Sequence, residues 1–537
     1  MNINHQRFQT LGIGLGLLFI LLASESAADK AKTASYPFEN RHMFFGLTLI
    51  SLEQKSLVQY LDINWVSLQP HILWFDIEPH YETQPGVFDW ASLDKEVKTL
   101  QDLGLDFVMV VSPIINAFSE STRNALIARL EAEMREHEIS IPSTAFLHLM
   151  REHHAAQEYD VKIDTAARLE RFKAFIRACV ERYDHDGVHD MPGLQYEARN
   201  WHIIEEWPSE YNGLEYTILL KAIYPVIKQE NSKANVILAG LAGNYSQYFA
   251  FADGYIQDPD AGRMKEFNKV FSIEEIKATS MIRLEKPEYE YVLRESKGFY
   301  DTIDIHLYEP KETYPEGELE WLKAKMLEYG YSRPVWVMEG GGPFKNGPED
   351  PNHPMGDPYY GLWTPEEGAE FVAKLLTLSA AKGVVRQRWG LGSGEGGYWG
   401  GPWDVMGLLD KNNVPKPGYF TYKLLREKIR DFSTVKDLSY FLAPSKENYF
   451  RVRLFEFSLP SNSKVYIAWN FRTQSTPIDL SGKISAPLVL VTPIVTALDR
   501  GKPVGTKPLV ELSTAVMLSK TPVFIEAFNI FAGPKRD

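Results

Sequence analysis

Residues 200–241 read NWHIIEEWPSEYNGLEYTILLKAIYPVIKQENSKANVILAGL. Two short apolar runs, NWHIIE (200–205) and NVILAGL (235–241), flank a stretch with helical patterning, which is how a βαβ unit on a parallel sheet is written. The alternation recurs along the chain. The runs read as strands are 42–47, 63–69, 106–112, 200–205, 235–241, 302–308, 334–339 and 384–390, and eight are what a closed (β/α)8 TIM barrel needs. The helix after the seventh run has a clear start, since Thr364, Pro365 and Glu367 supply an N-cap, a first-turn proline and a capping-box carboxylate. A long insertion separates the third and fourth runs, with its own helical stretch near 120–138. Directly after a barrel strand, such an insertion is expected at the catalytic face as a lid or subsite wall.

Beyond residue 429 the texture changes to alternating runs at 449–459, 464–471, 487–495 and 521–528, separated by Ser, Asn, Pro and Gly clusters. These predict an antiparallel β-sandwich. The expected organisation is a signal peptide over 1–28, a linker over 29–40, the barrel over 41–430 and the sandwich over 431–537.

The net charge of -14 argues against a nucleic-acid partner and offers no basic patch for anionic membranes. Aromatic residues make up 13% of the chain, a surplus that suits stacking on sugar rings and equally suits large aromatic cores. Near the N-terminus, Arg7 precedes an apolar run from Leu11 to Ala23 and the small residues Ser26, Ala27 and Ala28. That run is shorter than the ~20 residues of a spanning helix, so a cleavable export signal is favoured over an uncleaved anchor, with a secreted, periplasmic or envelope location and no stable membrane insertion after cleavage. Cys179 is the only cysteine, which excludes an internal disulfide and reads as a small core residue.

Residues at the C-terminal ends of barrel strands line the active site. Two of the eight runs end in glutamate: the fourth in Glu205 and Glu206, the seventh in Glu339 within PVWVMEGGG. Carboxylates facing one pocket from opposite sides are the working parts of glycoside hydrolysis, one protonating the leaving oxygen and the other attacking the anomeric carbon. Strand alternation sends Glu205 and Glu206 to opposite faces unless the backbone bends there.

With these segments in view, the chain resembles the retaining glycosidases of clan A, and the family 39 type in particular. The resemblance runs through WFDIEPHYETQPGVFDWASLD (74–94), RYDHDGVHDMPGL (182–194), the fourth strand with its following helix, and VPKPGYFTYKLL (414–425). It covers most of 41–430 and implies a poly- or oligosaccharide substrate, Glu206 as acid/base and Glu339 as nucleophile. The clan's Asn-Glu-Pro becomes Glu205-Glu206-Trp207 here, so a carboxylate that can only accept hydrogen bonds replaces an amide, and its charge would raise the pKa of Glu206 on close approach. Many members carry an arginine on strand two, where this chain has Ser67; Arg388 on strand eight faces either the barrel or the helices. By the same resemblance His306 and Tyr308 fall where the clan places a partner of the nucleophile, and Trp389 where a tryptophan floors the sugar site. Trp399 in the Gly-rich loop 392–404, Asn244 and Trp74 complete the substrate-binding candidates, with Glu205 among them.

No cofactor or catalytic metal is expected. Asp184, Asp186 and Asp190 surround Gly187 as in short calcium loops, but the twelve-residue pattern is incomplete, and a solvated turn is the favoured reading. The alternative to a hydrolase is a non-catalytic carbohydrate-binding barrel of the cell envelope, motivated by the departures at Glu205, Trp207 and Ser67.

Overall fold

The fold comes from a computed structural model. It describes residues 36–39, 41–48, 54–67, 72–80, 83–113, 163, 165–207, 211–241, 245–256, 263–266, 269–279, 281–308, 314–341, 364–390, 407–410, 412–442, 452–460, 462–471, 475–484, 488–505, 507–511 and 513–528. The segments expected as an export signal and as a helical stretch near 120–138, and the loop 392–404, lie outside the described residues, and no described helix is long and apolar enough to cross a membrane.

Eight parallel strands close a barrel: β1 (Phe45–Thr48), β2 (Trp65–Ser67), β3 (Asp106–Ser112), β4 (Asn200–Trp207), β5 (Asn235–Leu241), β6 (Thr302–Tyr308), β7 (Val335–Gly341) and β8 (Arg386–Gly390). Each pairs with the next, and β8 returns to β1, so no edge is left open. Around them run α1 (Lys55–Leu61), α2 (Ala91–Asp102), α3 (Ala166–Tyr183), α4 (Gly213–Glu230), α5 (Lys286–Glu295), α6 (Tyr314–Glu328), α7 (Pro365–Ala381) and α8 (Pro417–Ile429). The α7 cap is as expected, with Thr364 accepting from Glu367 N–H and the Glu367 side chain reaching back. Asn212 and Glu215 build the same box on α4, directly after the strand that carries Glu206.

At the N-terminal ends of the strands the interior is polar but paired. Asp106 meets Arg386 at 2.7 Å, Asn200 donates to Asp106 at 3.2 Å, Asn235 donates to Asn200 Oδ1 at 3.2 Å, and Thr302 donates to Asn235 at 2.7 Å. The Tyr36 hydroxyl also bonds Asp106. This belt ties five strands together at the end of the barrel that serves stability.

The C-terminal strands β9 (Thr434–Asp437), β10 (Val452–Ser458), β11 (Lys464–Asn470), β12 (Thr476–Asp479), β13 (Leu488–Pro493), β14 (Leu509–Glu511), β15 (Ala515–Leu518) and β16 (Val523–Phe528) form an antiparallel β-sandwich. Six make one sheet in the order β9-β10-β11-β16-β13-β14, and β12 pairs with β15. Period-two alternation explains why both faces of the larger sheet are apolar. Phe455, Phe457, Ile467, Trp469 and Phe524 join the barrel's core, whereas Leu454, Tyr466, Ala468 and Ile525 pack with Ile478, Val516 and Leu518 of the smaller layer.

Candidate active site

Beta alternation alone would turn Glu205 away from the barrel if Glu206 pointed in. The backbone resolves this with bulges. Between β4 and β5 the pairing steps from Ile203↔Leu238 to Glu206↔Gly240, so β4 holds one extra residue. Ile204 sits there at φ 65°, a left-handed conformation rare for a β-branched residue and costing about 1–3 kcal/mol. A matching step from Trp336↔Asp304 to Glu339↔His306 adds a residue to β7 and turns Glu339 inward.

Both glutamates then converge on one ring. His306 Nδ1 lies 2.8 Å from Glu339 Oε2 and 3.3 Å from Glu206 Oε1, and one nitrogen or oxygen atom from each of the three side chains lies within 4.8 Å of the others. Its Nε2 faces Asp304 Oδ2 at 3.1 Å. With carboxylates facing both ring nitrogens, every contact of the ring is satisfied when both nitrogens donate, as in the imidazolium form. Burial works against that charge, yet Glu339 and Asp304 outweigh it and raise the His306 pKa well above the ordinary value. Reciprocally, burial pushes Glu339 up, but the His306 charge and hydrogen bond, aided by Arg388 and opposed by Glu205, hold its carboxyl below the usual range. The Tyr308 hydroxyl also bonds Glu339. The side chains of Glu206 and Glu339 are 45% and 27% exposed, which leaves both accessible from the barrel mouth.

Glu205 has a different partner. Its Oε1 accepts from Arg388 at 3.0 Å, and the same guanidinium donates to Ser67 at 2.6 Å. Arg388 therefore faces the barrel, reaching from strand eight to the Ser67 position where the resemblance led one to look for an arginine.

Of the remaining candidates, Trp389 is the last residue but one of β8 and a core residue only 2% exposed. Trp74 does not join the cluster. It is fully buried, donates to Glu78 at 2.6 Å and stacks on Phe175 of α3, opening a short helix directly after Ile72 and Leu73, which pair with Val111 and Ser112 of β3. Asn244 and Trp399 lie outside the described residues. Asp184, Asp186 and Asp190 converge too, but they accept backbone N–H groups of His185, Asp186, Gly187 and Val188, as in a tight turn. Burial, with the charge of Asp186, pushes Asp184 up to about 7.

Two residues at the site were not singled out from sequence. Asp304 is fully buried beneath His306, and His202 lies 3.5 Å from it with its pKa pushed down to about 4 by burial. The signal was present in TIDIHLY (302–308), where Asp304, His306 and Tyr308 put three polar groups on the face of a strand that ought to be apolar.

No family model matches the sequence, and no curated protein matches it as a relative. Among solved structures, one similar in fold is a family 39 glycoside hydrolase from the gut symbiont Bacteroides cellulosilyticus WH2, with a TM-score of 0.55 at 13% identity over 91% of this chain and 81% of that one. Another is BuGH86 in complex with neoagarooctaose, with a TM-score of 0.52 at 11% identity over 91% of this chain and 76% of that one. A glucosidase from Croceicoccus marinus gives 0.51 at 9% identity over 93% and 98%. In fold, then, this chain is similar to the clan A glycoside hydrolases, TIM-barrel proteins with the family 39 type among them.

Proposed function

We propose that the protein is a retaining glycoside hydrolase acting on a poly- or oligosaccharide, exported to the cell envelope or beyond. The observation that carries this reading is the convergence of Glu206 and Glu339, from β4 and β7, on His306 with their nearest oxygens within 4.8 Å. Retaining enzymes keep their carboxyl groups about 5–5.5 Å apart, whereas inverting ones open the gap to about 6.5–9.5 Å to admit a water.

In the first step Glu339, kept anionic by His306 and Arg388, attacks the anomeric carbon while Glu206 delivers a proton to the leaving oxygen. The glycosyl-oxygen bond breaks and a glycosyl ester forms on Glu339. In the second step Glu206, now the base, takes a proton from water, which displaces Glu339 and releases the sugar with net retention. The Tyr308 hydroxyl and His306 stabilise the returning carboxylate. Glu205, bound to Arg388, presents an acceptor where an amide would present a donor, which bears on which sugar hydroxyls are preferred.

The test compares wild type with Glu206→Gln on glycans and on aryl glycosides of graded leaving-group ability. Glu206→Gln is expected to lose about 10²–10⁴-fold on poor leaving groups and far less on dinitrophenyl glycosides, which need no proton. A wild type that binds glycans but cleaves none, indistinguishable from the variant, would establish a binding barrel instead.

A further inference from the structure

We infer that Asp304 is a positioning residue: by holding the Nε2–H of His306 it makes that ring a cation aimed at Glu339, supplying much of the balancing charge that Ser67 cannot. The inference rests on the reading of Glu339 as nucleophile, but the contacts that carry it stand apart from any activity.

Asp304 is 0% exposed in the barrel interior, where an unpartnered carboxylate would be prohibitive. Its two oxygens are committed in different directions. Oδ1 accepts Met338 N–H at 2.8 Å, one residue before Glu339 and inside the β7 bulge. Oδ2 accepts His306 Nε2–H at 3.1 Å, with His202 Nε2 at 3.5 Å. Asp304 thus touches both the ring that neutralises Glu339 and the backbone that aims it. The neighbouring strand is shaped to let this happen: a Cβ on Gly240 would stand 2.1 Å from His306 Nε2 and 2.5 Å from Asp304 Oδ2. Only a glycine lets β5 lie against the pair.

Replacing Asp304 by Asn separates charge from shape. The Asn carbonyl takes the Met338 N–H, because the Asn amide N–H2 is a donor and cannot accept it. Its amide N–H2 then faces His306 Nε2, which must give up its proton to accept. His306 becomes neutral with the proton on Nδ1, and Glu339 loses its cation. The other ionisable groups facing the ring stay in place: His202, Glu205 and Glu206 from β4, Tyr308 from β6, Glu339 from β7 and Arg388 from β8, with Tyr216 of α4 near Asp304.

The experiment joins histidine-selective 15N spectra with kinetics of full-length Asp304→Asn, His306→Gln and the double variant. In wild type His306 should show both nitrogens protonated, and in Asp304→Asn only Nδ1. The acid limb of kcat/KM should move to higher pH in Asp304→Asn, with kcat lowered about 10–100-fold and KM little changed, the scale usual for an orienting partner. In the His306→Gln background the same substitution should cost less than about threefold, because it acts through the ring. The inference is overturned if Asp304→Asn lowers the rate without moving the acid limb, or if its effect is undiminished when His306 is gone. Should wild type cleave no glycoside, the hydrolase reading falls separately and the spectra decide: a singly protonated His306 in wild type overturns the positioning role, and a doubly protonated one that collapses in Asp304→Asn upholds it.

Discussion

At the scale of single residues, the most informative position is Glu205. Next to Glu206, the proposed acid/base, it looked like a charge aimed at its neighbour, yet Arg388 takes it up at 3.0 Å and shares itself with Ser67. The pair has consequences for Glu339, because Glu205 pushes that carboxyl up while Arg388 pulls it down. Removing the Glu205 charge takes away one of the two upward pushes and leaves burial as the other, so the ionised form of Glu339 persists to lower pH. Glu205→Gln should accordingly move the acid limb of kcat/KM to lower pH, opposite in sign to Asp304→Asn, as read from a pH–rate profile. A shift to higher pH would mean that Arg388 had left the site. Arg388 and Ser67 show where sequence reading stopped: RQR (386–388) states that two arginines share one face of β8, but only the closed barrel says that the face is the inner one.

At the scale of elements, the barrel was largely legible. The runs read as strands coincide with β1 to β8 to within a few residues at their ends, because buried parallel strands are near-continuous apolar runs between helical stretches. The α7 start was legible for the same local reason, since a cap is a short-range hydrogen-bond pattern. The bulges were not. Nothing in NWHIIEEW marks Ile204 as left-handed, for the strain is imposed by pairing with β5 and opposed by local preference. Deleting Ile204 should restore plain alternation and swing Glu206 towards the helices. The variant is expected to fold by circular dichroism yet match Glu206→Gln on poor leaving groups; activity within about tenfold of wild type would contradict the account of the bulge.

At the scale of the whole molecule, two ends of one barrel do different work. The belt around Asp106 lies at the N-terminal ends of the strands, away from Glu206 and Glu339 at the C-terminal ends. Asp106→Ala would leave Arg386 buried without its 2.7 Å partner, so it should destabilise by about 3–5 kcal/mol in denaturant unfolding while kcat/KM per folded molecule stays within about twofold. A large loss of kcat/KM without loss of stability would overturn that division. The sandwich sheet buries both faces, one against the barrel's core, a dependence invisible in its own alternating strands.

The central claim is that Glu339 attacks the sugar. It is tested most directly by incubating the protein with a panel of 2-deoxy-2-fluoro aryl glycosides that carry good leaving groups, then mapping the modified peptide by mass spectrometry. The account predicts one glycosyl adduct per chain, on Glu339 within PVWVMEGGG, and none in Glu339→Gln. An adduct on any other residue, or hydrolysis of the parent glycosides with inversion at the anomeric carbon, would contradict it.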